Sequence, residues 1–173
     1  MGKGTVMYDK LTKVDIEKMQ QELDYRIGVK RPEILEEVKL TRSYGDLSEN
    51  TEYHAAKRER GKNESRIRYL RNMIKTAQII TVESRADAVT LFDTVHYKPE
   101  PDGEIETVRI MTTLRQDVFA GIISQESPMG RALMGKKVGD RCRVQIDEWN
   151  SYDITITGIE KGEDDASLEI RKF

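Results

Sequence analysis

Apolar residues recur at helical spacing from residue 12 to about residue 77 and then give way to alternation. Thr12-Lys-Val-Asp15 has the form of a capping box, and Ile16, Met19, Leu23 and Ile27 follow it at intervals of three and four. Gly28 and Pro32 interrupt this stripe. Proline suits the first turn of a helix but not its interior, so a kink or short break is expected there. Ile34, Leu35 and Val38 resume the stripe until Ser43-Tyr-Gly45, where the glycine is a natural stop. A second helix is expected from about Ser48 to Ala77. Its coiled-coil seam comprises Tyr53, Ala56, Arg60, Asn63, Ile67, Leu70, Ile74 and Ala77. Two such helices joined by a short turn bury their stripes on each other as an antiparallel hairpin. An arm of about 30 residues reaches roughly 45 Å at about 1.5 Å per residue.

Beyond Ala77 the pattern predicts strands at Gln78–Val82, Thr94–Tyr97, Glu106–Leu114, Phe119–Ser124, Arg141–Asp147 and Tyr152–Ile159. Asp153-Ile-Thr-Ile-Thr157 alternates cleanly, as a sheet with one buried face requires. Lys98-Pro-Glu-Pro-Asp-Gly103, Lys137-Val-Gly-Asp140 and Lys161-Gly-Glu-Asp-Asp165 separate the runs as turns. Ser127-Pro128 reads as a helix cap with proline in the first turn, opening a short helix through Leu133 that Gly135 ends. The expected fold is α+β: a helical hairpin over 1–79 and a small twisted sheet with one short helix over 80–173.

Composition narrows the picture. Charged residues make up 35% of the chain and hydrophobic ones 37%, a charge density above the roughly 25% of an average globular chain and suited to a long solvated helix. A net charge of −2 argues against a protein that coats nucleic acid with its whole surface. The single cysteine, Cys142, excludes an internal disulfide and a multi-cysteine zinc cage, and its alternating context marks it as a buried small hydrophobe. With no signal-peptide core and no apolar run of spanning length, a cytoplasmic location without membrane contact is expected.

Charge is unevenly placed. Lys57, Arg58, Arg60, Lys62, Arg66, Arg68, Arg71 and Lys75 face only Glu59 and Glu64 between residues 57 and 75, giving this segment a net +6. A solvated helix face is the plain account of such a run, and phosphate attraction is the alternative. Between the helices, Asp46-Leu-Ser-Glu49 is itself a capping box, and Ser48 or Asn50 is another candidate cap. The same Asp46 and Glu49 are oxygen ligands that suit a hard cation such as Mg²⁺ at the end of a long arm. Two carboxylates do not close a six-ligand site, so the remaining ligands would come from a partner. Tyr53 falls on the seam, and His54 is read as structural support for the turn.

Gly45-Asp-Leu-Ser-Glu-Asn-Thr-Glu-Tyr-His-Ala-Ala-Lys57 resembles the signature of the bacterial Gre-type transcript cleavage factors, the GreA and GreB proteins. Arg31-Pro-Glu-Ile34, Ala77-Gln-Ile-Ile80, Ser127-Pro-Met-Gly-Arg-Ala-Leu-Met-Gly135 and Val138-Gly-Asp140 extend the resemblance, in order, over nearly the whole chain, with a lean toward the GreA type. The resemblance implies a C-terminal FKBP-like domain that binds bacterial RNA polymerase at the rim of its secondary channel. It also implies a coiled coil that enters the channel and carries Asp46 and Glu49 to the catalytic centre. There they help hold the polymerase's second Mg²⁺ and the attacking water, so that the polymerase cleaves the 3′ end of its own backtracked RNA. On this reading the chain is not itself an enzyme, binds no cofactor alone and acts as a monomer. Lys57, Arg58, Arg60, Lys62, Arg66 and Arg68 are the candidate nucleic-acid contacts, and Ser127, Pro128, Met129 and Arg131 the candidate polymerase contacts. The competing readings are a Gre-like paralogue that blocks the channel, a plain coiled-coil interaction module, and an isomerase or chaperone acting through the second domain. The aromatic-poor second domain argues against the last.

Overall fold

The computed structural model describes residues 9–45, 50–83 and 85–170. These fall into two units, one built on Ile16–Ala77 and the other joining Lys10–Asp15 to the chain from Gln78 onward.

The helical segment opens as α1 (Lys13–Tyr25). Its capping box is formed: the Thr12 amide donates to Asp15 Oδ2 (3.0 Å) and the Asp15 amide to Thr12 Oγ1 (3.3 Å). The expected interruption at Gly28 and Pro32 takes another form. A single π-helical turn (Arg26–Lys30) leads without a break into α2 (Arg31–Arg42), with Pro32 in the first turn of α2. The Arg31 amide reaches back five residues to the Arg26 carbonyl, while Lys30 and Arg31 keep right-handed helical dihedrals. A widened turn accommodates the proline, which lacks an N–H and crowds the carbonyl four residues back. The helix ends at Arg42, Ser43 caps it, and Gly45 follows with φ of 109°. The second helix, α3, spans Thr51–Thr76.

Within this unit the helices run antiparallel, and the polar ties between them show the register. Going up α1 and α2, residues 22, 26, 30 and 41 meet residues 66, 63, 59 and 50 going down the other side. Glu22 binds Arg66 (2.7 Å), Arg26 the Asn63 side chain (3.1 Å), Lys30 binds Glu59 (2.9 Å), and Asn50 the Thr41 carbonyl (2.7 Å). Arg31 adds a two-pronged contact to Glu64 (2.7 and 2.6 Å). Leu23, Ile34, Ala56, Ile67 and Leu70 are buried on the apolar part of the seam. Arg60, expected on the seam, is exposed instead. The neighbouring Glu59 turns half inward to reach Lys30, so an ion pair takes the place of an apolar layer.

In the second unit, a five-stranded sheet has the order β5-β4-β3-β7-β6, built from β3 (Thr94–Pro99), β4 (Glu106–Met111), β5 (Ile122–Ser124), β6 (Arg141–Gln145) and β7 (Ser151–Glu160). All its pairings are antiparallel except β4 with β5. A separate parallel pair joins β1 (Lys10–Leu11), which the pattern did not predict, to β2 (Gln78–Ile79). Val95, Ile110, Met111, Val144, Ile154 and Ile156 form the core with Leu133 of α4 (Pro128–Leu133) and Cys142. Burial pushes the Cys142 thiol up. The expected strand from Phe119 is shorter, because residues 118–120 form a 3₁₀ turn. Asp117 Oδ1 accepts the Phe119 and Ala120 amides (3.1 and 3.3 Å) and Gly121 returns the chain in a left-handed conformation, leaving Phe119 fully exposed.

Arg115, in the same unit, is buried. Its Nε is 2.6 Å from Asp15 Oδ1, Nη2 donates to Thr12 Oγ1 (3.2 Å) and Nη1 to the Asp165 carbonyl (3.0 Å). Asp164 Oδ1 is 2.6 Å from Nη1, and the guanidinium sits 5.9 Å from the Phe92 ring centre.

Candidate functional site

Asp46 and Glu49 lie outside the described residues. The residues on either side define the base of the tip. Asn50, not Ser48, caps α3: its Oδ1 accepts the Tyr53 amide (2.9 Å) and the helix begins at Thr51. The helix begins four residues later than a capping box on Asp46 and Glu49 would start it. Asn50 does a second thing that its sequence context did not reveal. Its Nδ2 donates to the carbonyl of buried Thr41, in the last turn of α2 (2.7 Å). One side chain therefore ties the two helix ends together. Tyr53 is half-buried, its ring 5.7 Å from that of exposed His54.

The basic run divides by helical phase. Lys57, Arg58, Arg60, Lys62 and Arg68 are exposed, as are Arg71 and Lys75. Lys57, Arg68 and Lys75 are 11 and 7 residues apart, about three and two turns, and so form one line along the outer face. Arg66 departs from the group. It neighbours Ile67 on the inner face, where both its Nε and Nη2 bind Glu22 (2.9 and 2.7 Å). Burial alone would raise the Glu22 carboxyl, but hydrogen bonds from Arg66 and Arg26 outweigh it and hold the group below the usual carboxylate range. Hydrogen bonds from Lys30 and Arg31 lower Glu59 and Glu64 in the same way. Glu22, Glu59 and Glu64 thus pair across the hairpin with Arg66, Lys30 and Arg31, while exposed Lys62, Arg60 and Arg68 act on Glu59 and Glu64 only through weaker charge attraction.

In the second unit, Ser127, Pro128, Met129 and Arg131 have different jobs. Ser127 is the N-cap of α4, accepting the Gly130 amide (3.0 Å) while donating to the Ser124 carbonyl (2.7 Å). Met129 packs partly against the core. Gly130 sits so close to β5 that a Cβ there would lie 2.1 Å from the Ser124 carbonyl oxygen. Pro128 and Arg131 instead line an open groove of about 540 Å³ with Ala132, Arg143 and Ile146. At the adjoining β6–β7 turn, Trp149 is 89% exposed, on a backbone that Asp147 fixes by accepting the Trp149 and Asn150 amides (both 2.8 Å). These amides and the Asn150 side chain, the largest influence, lower the Asp147 carboxyl. The sequence pattern did not mark Trp149 or Ile146, although an apolar pair in an otherwise polar turn was the available signal.

Among the described residues, no group of three or more His, Cys, Asp or Glu is arranged to hold a metal ion, and no helix is long and apolar enough to cross a membrane. A paired-helix arm joined to a mixed-sheet domain is the architecture the sequence resemblance implies, and two family profiles match it in order. "Transcription elongation factor, N-terminal" covers residues 10–79, and "Transcription elongation factor, GreA/GreB, C-term" covers 83–161. The chain belongs to the GreA/GreB family of transcription elongation factors. It is 46% identical over 136 residues to the transcription elongation factor GreA of Geobacillus kaustophilus, covering 78% of this chain and 86% of that one. To the GreA of Leuconostoc mesenteroides it is 45% identical over 146 residues, 84% of this chain and 91% of the relative. A solved structure of the transcription factor Gfh1 aligns over 91% of this chain and all of its own, at 26% identity and a TM-score of 0.45.

Proposed function

We propose that this chain stimulates RNA cleavage by bacterial RNA polymerase: the hairpin enters the secondary channel and presents Asp46 and Glu49 to the catalytic centre of a backtracked complex. The observation that carries the reading is the antiparallel register from Glu22–Arg66 to Asn50–Thr41. It makes the segment a narrow rod, with α3 alone about 39 Å long at 1.5 Å per residue. Internal ion pairs hold the rod, and the line of Lys57, Arg68 and Lys75 faces outward, available to RNA phosphates. Arg66 is left out of that contact because Glu22 engages it.

Two carboxylates fall short of the six ligands Mg²⁺ prefers, and the described residues offer no cluster to complete the set. A shared site, with the polymerase and RNA supplying the rest, fits that donor count. A divalent ion held there would acidify a water and offset charge at phosphorus. The hydrolysis is the polymerase's own, and this chain contributes carboxylates and position as a cytoplasmic monomer. Pro128 and Arg131, with the groove they line, are the proposed polymerase contact, while Ser127 and Met129 hold that surface in shape.

The test adds the protein to a stalled, backtracked polymerase with Mg²⁺ and follows the RNA. Short 3′ fragments are expected, and Asp46→Ala should abolish them while polymerase binding persists. Undiminished cleavage by a bound Asp46→Ala protein would refute the proposal. Binding without fragments by the parent protein would mark a channel-blocking paralogue or a bare interaction module.

A further inference from the structure

We propose that Asn50 is a positioning residue for transcript cleavage: its amide clamps the base of the tip and so sets where the two tip carboxylates are delivered. This inference rests on the function proposed above. As a helix cap, Asn50 needs only its oxygen, which accepts the Tyr53 amide (2.9 Å). Aspartate or serine would serve as well, since all three are strong N-caps. The nitrogen end does work that no cap requires. It donates across the hairpin to the Thr41 carbonyl (2.7 Å), which also accepts the Tyr44 amide (3.3 Å). Thr41 is itself buried, and its hydroxyl donates to the Glu37 carbonyl one turn back (2.8 Å), so the acceptor sits on a fixed support.

The clamp closes the eight residues 42–49 between two anchored points. The next cross-helix tie, Lys30–Glu59, lies more than two turns down α3, and its side chains remain partly exposed. Nothing between that pair and the tip duplicates the Asn50 hydrogen bond among the described polar contacts. Groups that must meet a reacting phosphate gain from being held near their working geometry. Displacement by about 1 Å can cost about 100-fold in rate.

Asn50→Asp separates the two roles, because it keeps the cap oxygen and removes the donor. Asn50→Ser adds no charge and keeps one hydroxyl for the cap, but lacks the second, separate head with which the amide reaches Thr41. Both are compared with the parent on a backtracked complex of bacterial RNA polymerase, reading the half-saturating factor concentration and the maximal cleavage rate separately. Hydrogen exchange at the Tyr53 amide of the free protein reports the cap. The expected result is a half-saturating concentration within about twofold of the parent, a maximal rate at least about tenfold lower, and a Tyr53 amide still protected. An unchanged maximal rate overturns the inference. So does a loss of rate that accompanies loss of Tyr53 protection, since capping alone would then explain it. Asp46→Ala is run alongside. If it fails to cleave while Asn50→Asp cleaves normally, only the positioning role falls. If Asp46→Ala cleaves like the parent, the carboxylate reading and this inference fall together.

Discussion

Replacing Arg115 by alanine should be the most damaging single change in the second unit. The Arg115 and Asp15 side chains are both fully buried and meet at 2.6 Å, so the substitution leaves a carboxylate in the interior without its counter-charge. Thr12 still donates to Asp15 through its amide and hydroxyl (3.0 and 3.3 Å), which limits the loss but supplies no positive charge. Asp164 loses the same partner: its side chain is 23% exposed, but Oδ1, the oxygen that faces Arg115, is buried. Breaking a buried pair from one side costs about 3–5 kcal/mol. At about 2–4 °C per kcal/mol for a chain of this size, the calorimetric transition should fall by about 6–20 °C. The double variant Arg115→Met/Asp15→Leu removes both charges and should recover most of the loss, short of about 1 kcal/mol for the capping hydrogen bond that Asp15 makes to Thr12. A loss below about 1 kcal/mol in the single variant, or a double variant no better than Arg115→Ala, would show that the pair does not hold this part of the second unit together.

The hairpin should weaken in acid. Glu22, Glu59 and Glu64 all titrate below the ordinary value of 4.5 when folded, so the folded state binds fewer protons than the unfolded one. Their contribution is complete above that value and is lost as pH falls through the lowered ones. Helix ellipticity in a urea series should therefore hold from pH 7 to about 5 and drop below about 4, and a flat profile to pH 3 would contradict the role of these pairs. The basic run should split in two. Arg66→Met should cost about 2–3 kcal/mol in urea unfolding, as lost charged hydrogen bonds do. Lys57→Ala and Arg68→Ala should change stability by no more than about 0.5 kcal/mol while weakening RNA cleavage most at low salt, where phosphate attraction is least screened. Equal stability losses at all three positions would erase the distinction between inner and outer face.

The helices, their caps at Thr12 and Ser127, and the strands around Ile154 and Ile156 were legible because each rests on local pattern: period, turn residues and short-range hydrogen bonds. What escaped depends on pairings across the fold. Arg66 and Arg60 look alike in a basic run, and helical phase decides which meets Glu22 and which meets water. Arg115 gives no sequence signal at all, since its partner lies 100 residues earlier. Phe119 read as strand because hydrophobicity suggested burial, yet Asp117 and Gly121 make a turn that displays it. The π-helical turn was half visible: Gly28 and Pro32 announced an irregularity, but not that widening by one residue would keep the helix continuous. At the tip, the sequence offered both Ser48 and Asn50 as caps, and only the Tyr53 contact chooses between them.

The polar seam has a consequence for what the hairpin can do. An apolar coiled coil of this length would gain stability from every layer, but its narrow interface would set register weakly wherever the layers are alike. Here Asn63, Arg66 and Glu59 occupy or flank seam positions, and across the hairpin they pair with Arg26, Glu22 and Lys30. A slip of one turn would strand buried Asn63 and Arg66 without those partners, at a cost of several kcal/mol by the usual penalty for unpaired buried polar groups. The seam therefore gives up some burial energy and gains a single alignment. For a spacer this would be of little use. On the function proposed above, where the rod delivers two side chains to one spot in another protein, a one-turn slip is a displacement of about 5.4 Å at the tip, and fixed register is the property that matters.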